Sequence, residues 1–135
     1  MVLIDTSIWV EYLRGNKKEI VESVTGLIRT RRAVLCGIVL SELLAGVSTK
    51  KSRDTLKETL DALDYTEVSK DTWILASAMS NDLKHRGISI PLSDLILAAL
   101  SVENKSEIFT LDSHFARIPD IKRFKANPET LNPKS

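Results

Sequence analysis

Residues 2–13 of the chain read VLIDTSIWVEYL, in which a short apolar run meets a helix-forming segment at a single aspartate. The run from Val2 to Ile4 has the length and composition of a buried strand. Residues 8–13 have apolar side chains at helical spacing, and Thr6 or Ser7 is positioned to cap that helix. The segment therefore predicts a buried strand that is followed at once by a helix.

The same alternation continues along the chain. Further strands are predicted at residues 33–36, 65–68, 107–111 and 121–124, and further helices at residues 17–31, 38–45, 51–63, 70–86 and 95–102. This alternation predicts an α/β fold, a three-layer α/β/α sandwich with a central, mostly parallel sheet. We expect one domain over residues 1–126 and a loosely ordered tail over residues 127–135, which contains Pro128 and Pro133.

Composition sets several limits on function. The chain has 135 residues and one cysteine, Cys36, which lies in an apolar run and is expected to be a buried thiol rather than a nucleophile. No segment approaches the ~20 apolar residues that span a bilayer. The first residues reach a charge too early for a signal peptide, so we expect a cytoplasmic protein without a membrane partner.

The net charge of +1 does not by itself indicate a nucleic-acid partner. Basic residues do form local clusters, at residues 29–32, 50–53, 84–86 and 122–125. Each cluster alone is more typical of a solvated face than of a phosphate site. Whether the clusters line a path for RNA is left open by the sequence.

Two aspartates follow predicted strands directly. Asp5 comes after residues 2–4 and Asp112 comes after residues 107–111. Sites in parallel sheets form beyond the carboxyl ends of the strands, which is where both residues are expected. The alternative for each is an ordinary turn or capping aspartate.

Two further carboxylates lie in apolar helical segments. Glu42 is surrounded by apolar residues in the segment 38–45, and Asp94 precedes the apolar run 95–100. Burying an unpaired carboxylate costs several kcal/mol, so a compensating partner is expected if Glu42 is buried. The alternatives are a water-facing polar stripe for Glu42 with Ser41 and a helix-dipole interaction for Asp94.

Four carboxylates in one cleft would repel one another unless a cation joined them. Oxygen ligands favour Mg²⁺ or Mn²⁺, whereas two histidines and one cysteine make a zinc centre improbable. A cation in such a site can activate a water and stabilise a leaving oxygen, which suits phosphodiester hydrolysis. The pattern therefore favours a metal-dependent nuclease.

Four sequence motifs, taken in order, resemble those of the PIN-domain nucleases, and most closely the VapC-type toxins of prokaryotic toxin–antitoxin pairs. The motifs are VLIDTSIW at residues 2–9, LSEL at 40–43, PLSDLILAA at 91–99 and TLDSHF at 110–115. The resemblance covers nearly the whole chain. Each motif alone is unspecific, but four in this order at this length are specific.

The resemblance implies a PIN-like fold with an acidic pocket that binds Mg²⁺ or Mn²⁺ and cleaves RNA endonucleolytically. It implies that Asp5, Glu42, Asp94 and Asp112 are both the catalytic residues and the metal ligands. Thr6 and Thr110 match positions that support the acidic cluster. It also implies a homodimer that a cognate antitoxin protein blocks.

Competing functions fit the sequence less well. A phosphatase with an aspartyl nucleophile requires a second aspartate two residues after Asp5, where this chain has Ser7. A receiver domain requires an acidic pair near the first strand, and Asp5 has no adjacent acid. The remaining alternative is a PIN-like module that binds RNA or protein without cleaving. An acidic pit without metal would repel phosphate, which argues against that module.

Four other residues are expected to have structural or no special roles. Trp9 and Trp73 lie in helical patterns and are interpreted as core or interface residues rather than as stacking platforms for bases. His114 is interpreted as a loop histidine without a role rather than as a contact to RNA. Arg14 is interpreted as part of a solvated face, although it could bind phosphate.

Overall fold

The computed structural model describes residues 1–126, so the tail expected at residues 127–135 lies outside the described residues. The strands are β1 (Val2–Ile4), β2 (Ala33–Cys36), β3 (Asp64–Thr66) and β4 (Glu107–Phe109). The helices are α1 (Thr6–Arg14), α2 (Lys18–Arg29), α3 (Gly37–Ala45), α4 (Lys50–Asp61), α5 (Lys70–His85) and α6 (Leu92–Asn104), and a 3₁₀ helix covers Ser113–Arg117.

The strands form a single sheet in the order β3-β2-β1-β4, and every pairing is parallel. Helix α1 packs on α2 and α3, α3 packs on α4, and α5 packs on α6. The chain reverses its direction across the sheet after β3, so right-handed crossovers put these two groups of helices on opposite faces. The prediction of a three-layer sandwich around a mostly parallel sheet is confirmed.

The core explains why the central segments are so apolar. Every residue of β1 and β2 is buried, as expected for strands with helices on both faces. Helix α6 is buried on all sides from Leu95 to Ser101, which is why its sequence lacks a polar stripe. Cys36 is a buried free thiol, as predicted.

Several predicted boundaries are wrong. Strand β4 ends at Phe109, and Leu111 is 51% exposed because the chain turns away from the sheet at Thr110. Residues 121–124 do not form a strand; they contribute one isolated parallel bridge, between Ile108 and Arg123. Helix α6 begins at Leu92 rather than at residue 95, so Asp94 lies within its first turn.

The predicted cap of α1 is also wrong. Asp5 occupies the N-cap position in extended conformation, and its side chain makes no capping hydrogen bond. Thr6 and Ser7 lie inside the first turn, and their hydroxyl groups bond to other side chains. The polar side chains at this junction are therefore available for a site rather than used to cap the helix. None of the described helices is long and apolar enough to cross a membrane.

Candidate active site

Asp5 and Asp112 lie on the same edge of the sheet because they follow neighbouring parallel strands. Asp5 follows β1 and Asp112 lies three residues beyond β4. The Asp5 amide donates to the carbonyl of Phe109 at 2.9 Å, which continues the β1–β4 ladder past the end of both strands. The carboxyl edge of the sheet thus fixes the backbone of Asp5 beside the segment that leads to Asp112.

The Asp5 carboxylate is only 7% exposed and is held by two hydroxyl groups. Ser7 Oγ donates to Asp5 Oδ2 at 2.9 Å, and Thr110 Oγ1 donates to the same oxygen at 2.8 Å. Two donors on one oxygen fix the orientation of the carboxylate and compensate for its burial.

Thr110 also connects this carboxylate to the next one. Its Oγ1 accepts a hydrogen bond from the backbone amide of Asp112 at 2.9 Å, while it donates to Asp5. Ser7 forms a parallel link, because its Oγ accepts from the backbone amide of Leu111 at 3.1 Å. Ser7 was missed by sequence reasoning, which considered it only as a helix cap. Its position two residues after Asp5 is the signal that could have identified it.

Asp94 and Asp112 meet at a histidine. His114 Nδ1 lies 3.0 Å from Asp94 Oδ2 and 3.1 Å from Asp112 Oδ1. The Asp94 side chain is 14% exposed and that of His114 is 43% exposed. His114 therefore lies in a 3₁₀ helix and contacts two predicted site carboxylates, which the sequence interpretation as a loop residue did not foresee.

The 3₁₀ helix that begins after Asp112 explains why His114 reaches these carboxylates. Asp112 Oδ1 accepts a hydrogen bond from the backbone amide of His114 at 2.9 Å, which caps this helix. The tight turn brings the imidazole back over the carboxylates. An aspartate followed two residues later by a histidine was the available signal, since aspartates commonly bond to the backbone two residues on.

Burial and neighbouring negative charge together shape the electrostatics of this group. Burial raises the pKa of Asp94 above its ordinary value; the hydrogen bond from His114 opposes that shift, and the nearby carboxylates of Asp112 and Asp5 add to it. The hydrogen bond to Asp94 raises the pKa of His114, and the charges of Asp112 and Asp94 raise it further. The site therefore attracts positive charge.

Glu42 lies at the edge of the site rather than inside it. Its side chain is exposed on α3, and Oε1 accepts a hydrogen bond from Thr6 Oγ1 at 2.7 Å. Exposure removes the need for the compensating partner that a buried Glu42 would require. Thr6 and Thr110 each contact a predicted site carboxylate, Glu42 and Asp5 respectively; their roles in catalysis stay predictions.

The described residues contain a group that fits a divalent cation. Asp94, Asp112 and His114 each offer one ligand atom, and these atoms all lie within 4.8 Å of one another. Carboxylate oxygens are the donors that Mg²⁺ and Mn²⁺ prefer, and a cation would relieve the repulsion that raises the pKa of Asp94. Of the four predicted ligands, Asp94 and Asp112 belong to this group. Asp5 is linked to this group through Thr110, and Glu42 is outside it and contacts Thr6.

The two tryptophans differ in position. Trp9 is fully buried and packs edge-on against Tyr12, with ring centroids 5.6 Å apart, as expected for a core residue. Trp73 is 46% exposed on α5, so it is not a core residue.

An apolar groove of about 270 Å³ borders Glu42, and its lining includes Val10, Leu13, Arg14 and Val47.

Comparison with known proteins agrees with this fold. Ribonuclease VapC11 of Mycobacterium tuberculosis is 27% identical over 130 residues, covering 93% of this chain and 97% of that protein. The crystal structure of VapBC2 from Rickettsia felis bound to a promoter DNA fragment contains a chain that superposes with a TM-score of 0.78 at 21% identity, covering 92% of this chain and 98% of that one.

A second solved structure, FitAcB from Neisseria gonorrhoeae, contains a chain that superposes with a TM-score of 0.77 at 22% identity, covering 93% of this chain and 98% of that one. These structural likenesses concern the fold. The family model described as PIN domain matches residues 2–121, which is most of the chain. The resemblance seen in the sequence motifs is confirmed, and this chain belongs to the PIN-domain family.

Proposed function

We propose that the chain is a divalent-metal-dependent endoribonuclease, the toxin component of a VapBC-type toxin–antitoxin pair. The observation that carries the proposal is the convergence of Asp94, Asp112 and His114, beside the buried Asp5, on the carboxyl edge of the sheet. Relatives over nearly the whole chain are named VapC ribonucleases, and the folds it matches include toxins solved in VapBC complexes.

The residues that would hold the cation are Asp94 and Asp112, with Asp5 and Glu42 as the other ligands implied by the family resemblance. A bound Mg²⁺ or Mn²⁺ would supply charge that polarises the phosphate and lowers the pKa of a water. Asp5 contributes a carboxylate whose orientation is fixed by the hydroxyls of Ser7 and Thr110. A fixed ligand costs little reorganisation when substrate binds.

Glu42 has a second part in the proposal. Its Oε1 is occupied by the hydroxyl of Thr6, and the side chain is exposed at the mouth of the site. The exposed carboxylate is suited to accept a proton from the attacking water at Oε2, the oxygen that Thr6 does not contact. Hydrolysis then needs no protein nucleophile, which is consistent with the buried thiol of Cys36.

The proposed partners are an RNA substrate, a cognate antitoxin and a second copy of the chain in a homodimer. The groove beside Glu42 is suited to the antitoxin, because it joins apolar side chains such as Val10, Leu13 and Val47 to the acidic site. An apolar segment carrying a basic residue would match both features. We also propose residues 1–126 as the nuclease domain, in a cytoplasmic protein.

Purified, antitoxin-free protein incubated with structured and single-stranded RNAs tests this function. The incubations contain Mg²⁺ or Mn²⁺, with a chelator control and the variants Asp94→Asn and Glu58→Gln. Glu58 is an exposed carboxylate on α4, so it serves as the matched control. We expect cleavage that needs metal, is lost in Asp94→Asn and persists in Glu58→Gln.

Two other results would change the interpretation. Cleavage that survives both the chelator and Asp94→Asn would point to a contaminating or metal-free nuclease and would remove the proposed site. Folded protein that binds metal but cleaves nothing on a broad RNA panel would favour the module that binds RNA or protein without cleaving.

A further inference from the structure

His114 is the one member of the proposed metal-binding group that is not a carboxylate. It lies in the 3₁₀ helix after β4, and its ring nitrogen Nδ1 faces Asp94 and Asp112 together. Both carboxylates belong to the proposed metal site, so the function of the imidazole depends on what occupies that site.

The distances from His114 Nδ1 to the two carboxylates match those between neighbouring ligands around one cation. Nδ1 lies 3.0 Å from Asp94 Oδ2 and 3.1 Å from Asp112 Oδ1. An octahedral cation about 2.1 Å from each ligand separates neighbouring ligand atoms by about 3.0 Å. Both separations from Nδ1 therefore match those of adjacent ligands, and the three residues offer ligand atoms within 4.8 Å of one another.

Hydrogen bonding alone explains the position of Nδ1 less well than a shared cation does. Nδ1 can carry only one hydrogen, yet it lies at nearly equal distances from two carboxylate oxygens. The backbone of His114 is held beside the site, because its amide donates to Asp112 Oδ1 at 2.9 Å. A cation between the three atoms would use the Nδ1 lone pair and both oxygens at once.

We propose that His114 Nδ1 is a direct ligand of the catalytic cation, next to Asp94 and Asp112, and that it gives the site a preference for Mn²⁺ over Mg²⁺. The inference rests on the proposed metal-dependent function. Mg²⁺ is usually held by oxygen ligands, whereas a nitrogen ligand increases the advantage of transition metals. A site made only of carboxylates would discriminate less between the two ions.

The test is electron paramagnetic resonance of Mn²⁺ added to the full-length, antitoxin-free protein, with detection of nitrogen hyperfine coupling. His85 is the only other histidine of the chain and lies exposed on α5, so His85→Gln is the matched control for His114→Gln. Wild-type protein labelled with a heavy nitrogen isotope in histidine adds a readout that needs no substitution at the site. Asp94→Asn reports whether the Mn²⁺ is in the proposed site.

We expect nitrogen coupling in wild type and in His85→Gln, a changed coupling in the isotope-labelled protein, and no coupling in His114→Gln. The Mn²⁺ dissociation constant should rise about tenfold or more in His114→Gln, since loss of groups that merely support a ligand already costs about that much. The Mg²⁺ dissociation constant, measured by competition, should change less than about threefold.

Two results would overturn the inference, and they are distinguishable. Mn²⁺ that binds at the site and is lost in Asp94→Asn, but has no histidine nitrogen coupling, would refute the role of His114 and leave the proposed nuclease intact. Absence of specific Mn²⁺ binding in folded wild type would refute the metal-dependent function and the inference with it.

Discussion

Replacing Thr110 with valine tests whether the edge of the sheet positions the site as the contacts indicate. Valine keeps the volume and branching of threonine but removes the hydroxyl that joins Asp5 Oδ2, at 2.8 Å, to the amide of Asp112, at 2.9 Å. The substitution leaves a buried carboxylate with one donor fewer and a backbone amide without its acceptor.

The expected loss of stability follows from these two hydrogen bonds. A hydrogen bond to a charged group contributes about 1.5–3 kcal/mol and one between neutral groups about 0.5–1.5 kcal/mol. Thr110 is half-buried, so water compensates in part and we take the low end, about 2 kcal/mol. With a urea dependence of about 2 kcal/mol per molar, the unfolding midpoint should fall by about 1 M.

Urea unfolding in chelator measures this effect without a contribution from bound metal. Thr110→Ser is the control, because serine keeps the hydroxyl and should recover most of the stability. The RNA cleavage rate of Thr110→Val should fall about tenfold or more, as for other groups that orient metal ligands. An unchanged midpoint together with an unchanged cleavage rate would refute the positioning role of Thr110.

Three further substitutions or treatments have definite expected outcomes. Asp94→Asn should increase the free energy of unfolding of the metal-free protein near neutral pH. The raised pKa of Asp94 means that folding disfavours its charged form, so the stability of wild type falls as pH rises through that pKa. Asparagine has no charged form and removes this loss. The same variant should lose the rise in melting temperature that Mn²⁺ gives wild type; a retained rise would contradict the assignment. Glu42→Gln should lower the cleavage rate but weaken Mn²⁺ binding less than Asp94→Asn does, because Glu42 is exposed and lies outside the group of Asp94, Asp112 and His114. Equal weakening of Mn²⁺ binding in the two variants, measured by titration, would contradict this placement. Cys36 should react with a thiol reagent only as fast as the protein unfolds, because burial raises the pKa of its thiol and blocks access; rapid labelling of folded protein would contradict this.

Much of the fold was predictable because apolar runs report burial directly. The runs at residues 2–4 and 33–36 are strands at the centre of the sheet, and their aspartate and glycine boundaries are where the structure ends them. The parallel sheet followed from the alternation of elements, and it brought Asp5 and the segment before Asp112 to the same edge. Long helices were predicted well, with errors mainly at their ends.

The details of the site were less predictable because they depend on side chains meeting across loops. The 3₁₀ helix that turns His114 toward Asp94 is short and has no periodic pattern that sequence could show. Ser7 was mistaken for a cap because a hydroxyl in a first turn usually has that use. The exposure of Glu42 was also not evident, since a short helix rich in apolar residues does not reveal which side faces water.

The central claim is that RNA cleavage requires the cation bound at Asp94 and Asp112. It is tested most directly by measuring, on one preparation, the Mn²⁺ dissociation constant and the Mn²⁺ concentration that half-saturates RNA cleavage. We expect the two values to agree for wild type, and both binding and cleavage to be lost in Asp94→Asn and Asp112→Asn but kept in Glu58→Gln. Cleavage that persists when Mn²⁺ binding at Asp94 and Asp112 is abolished would contradict the claim.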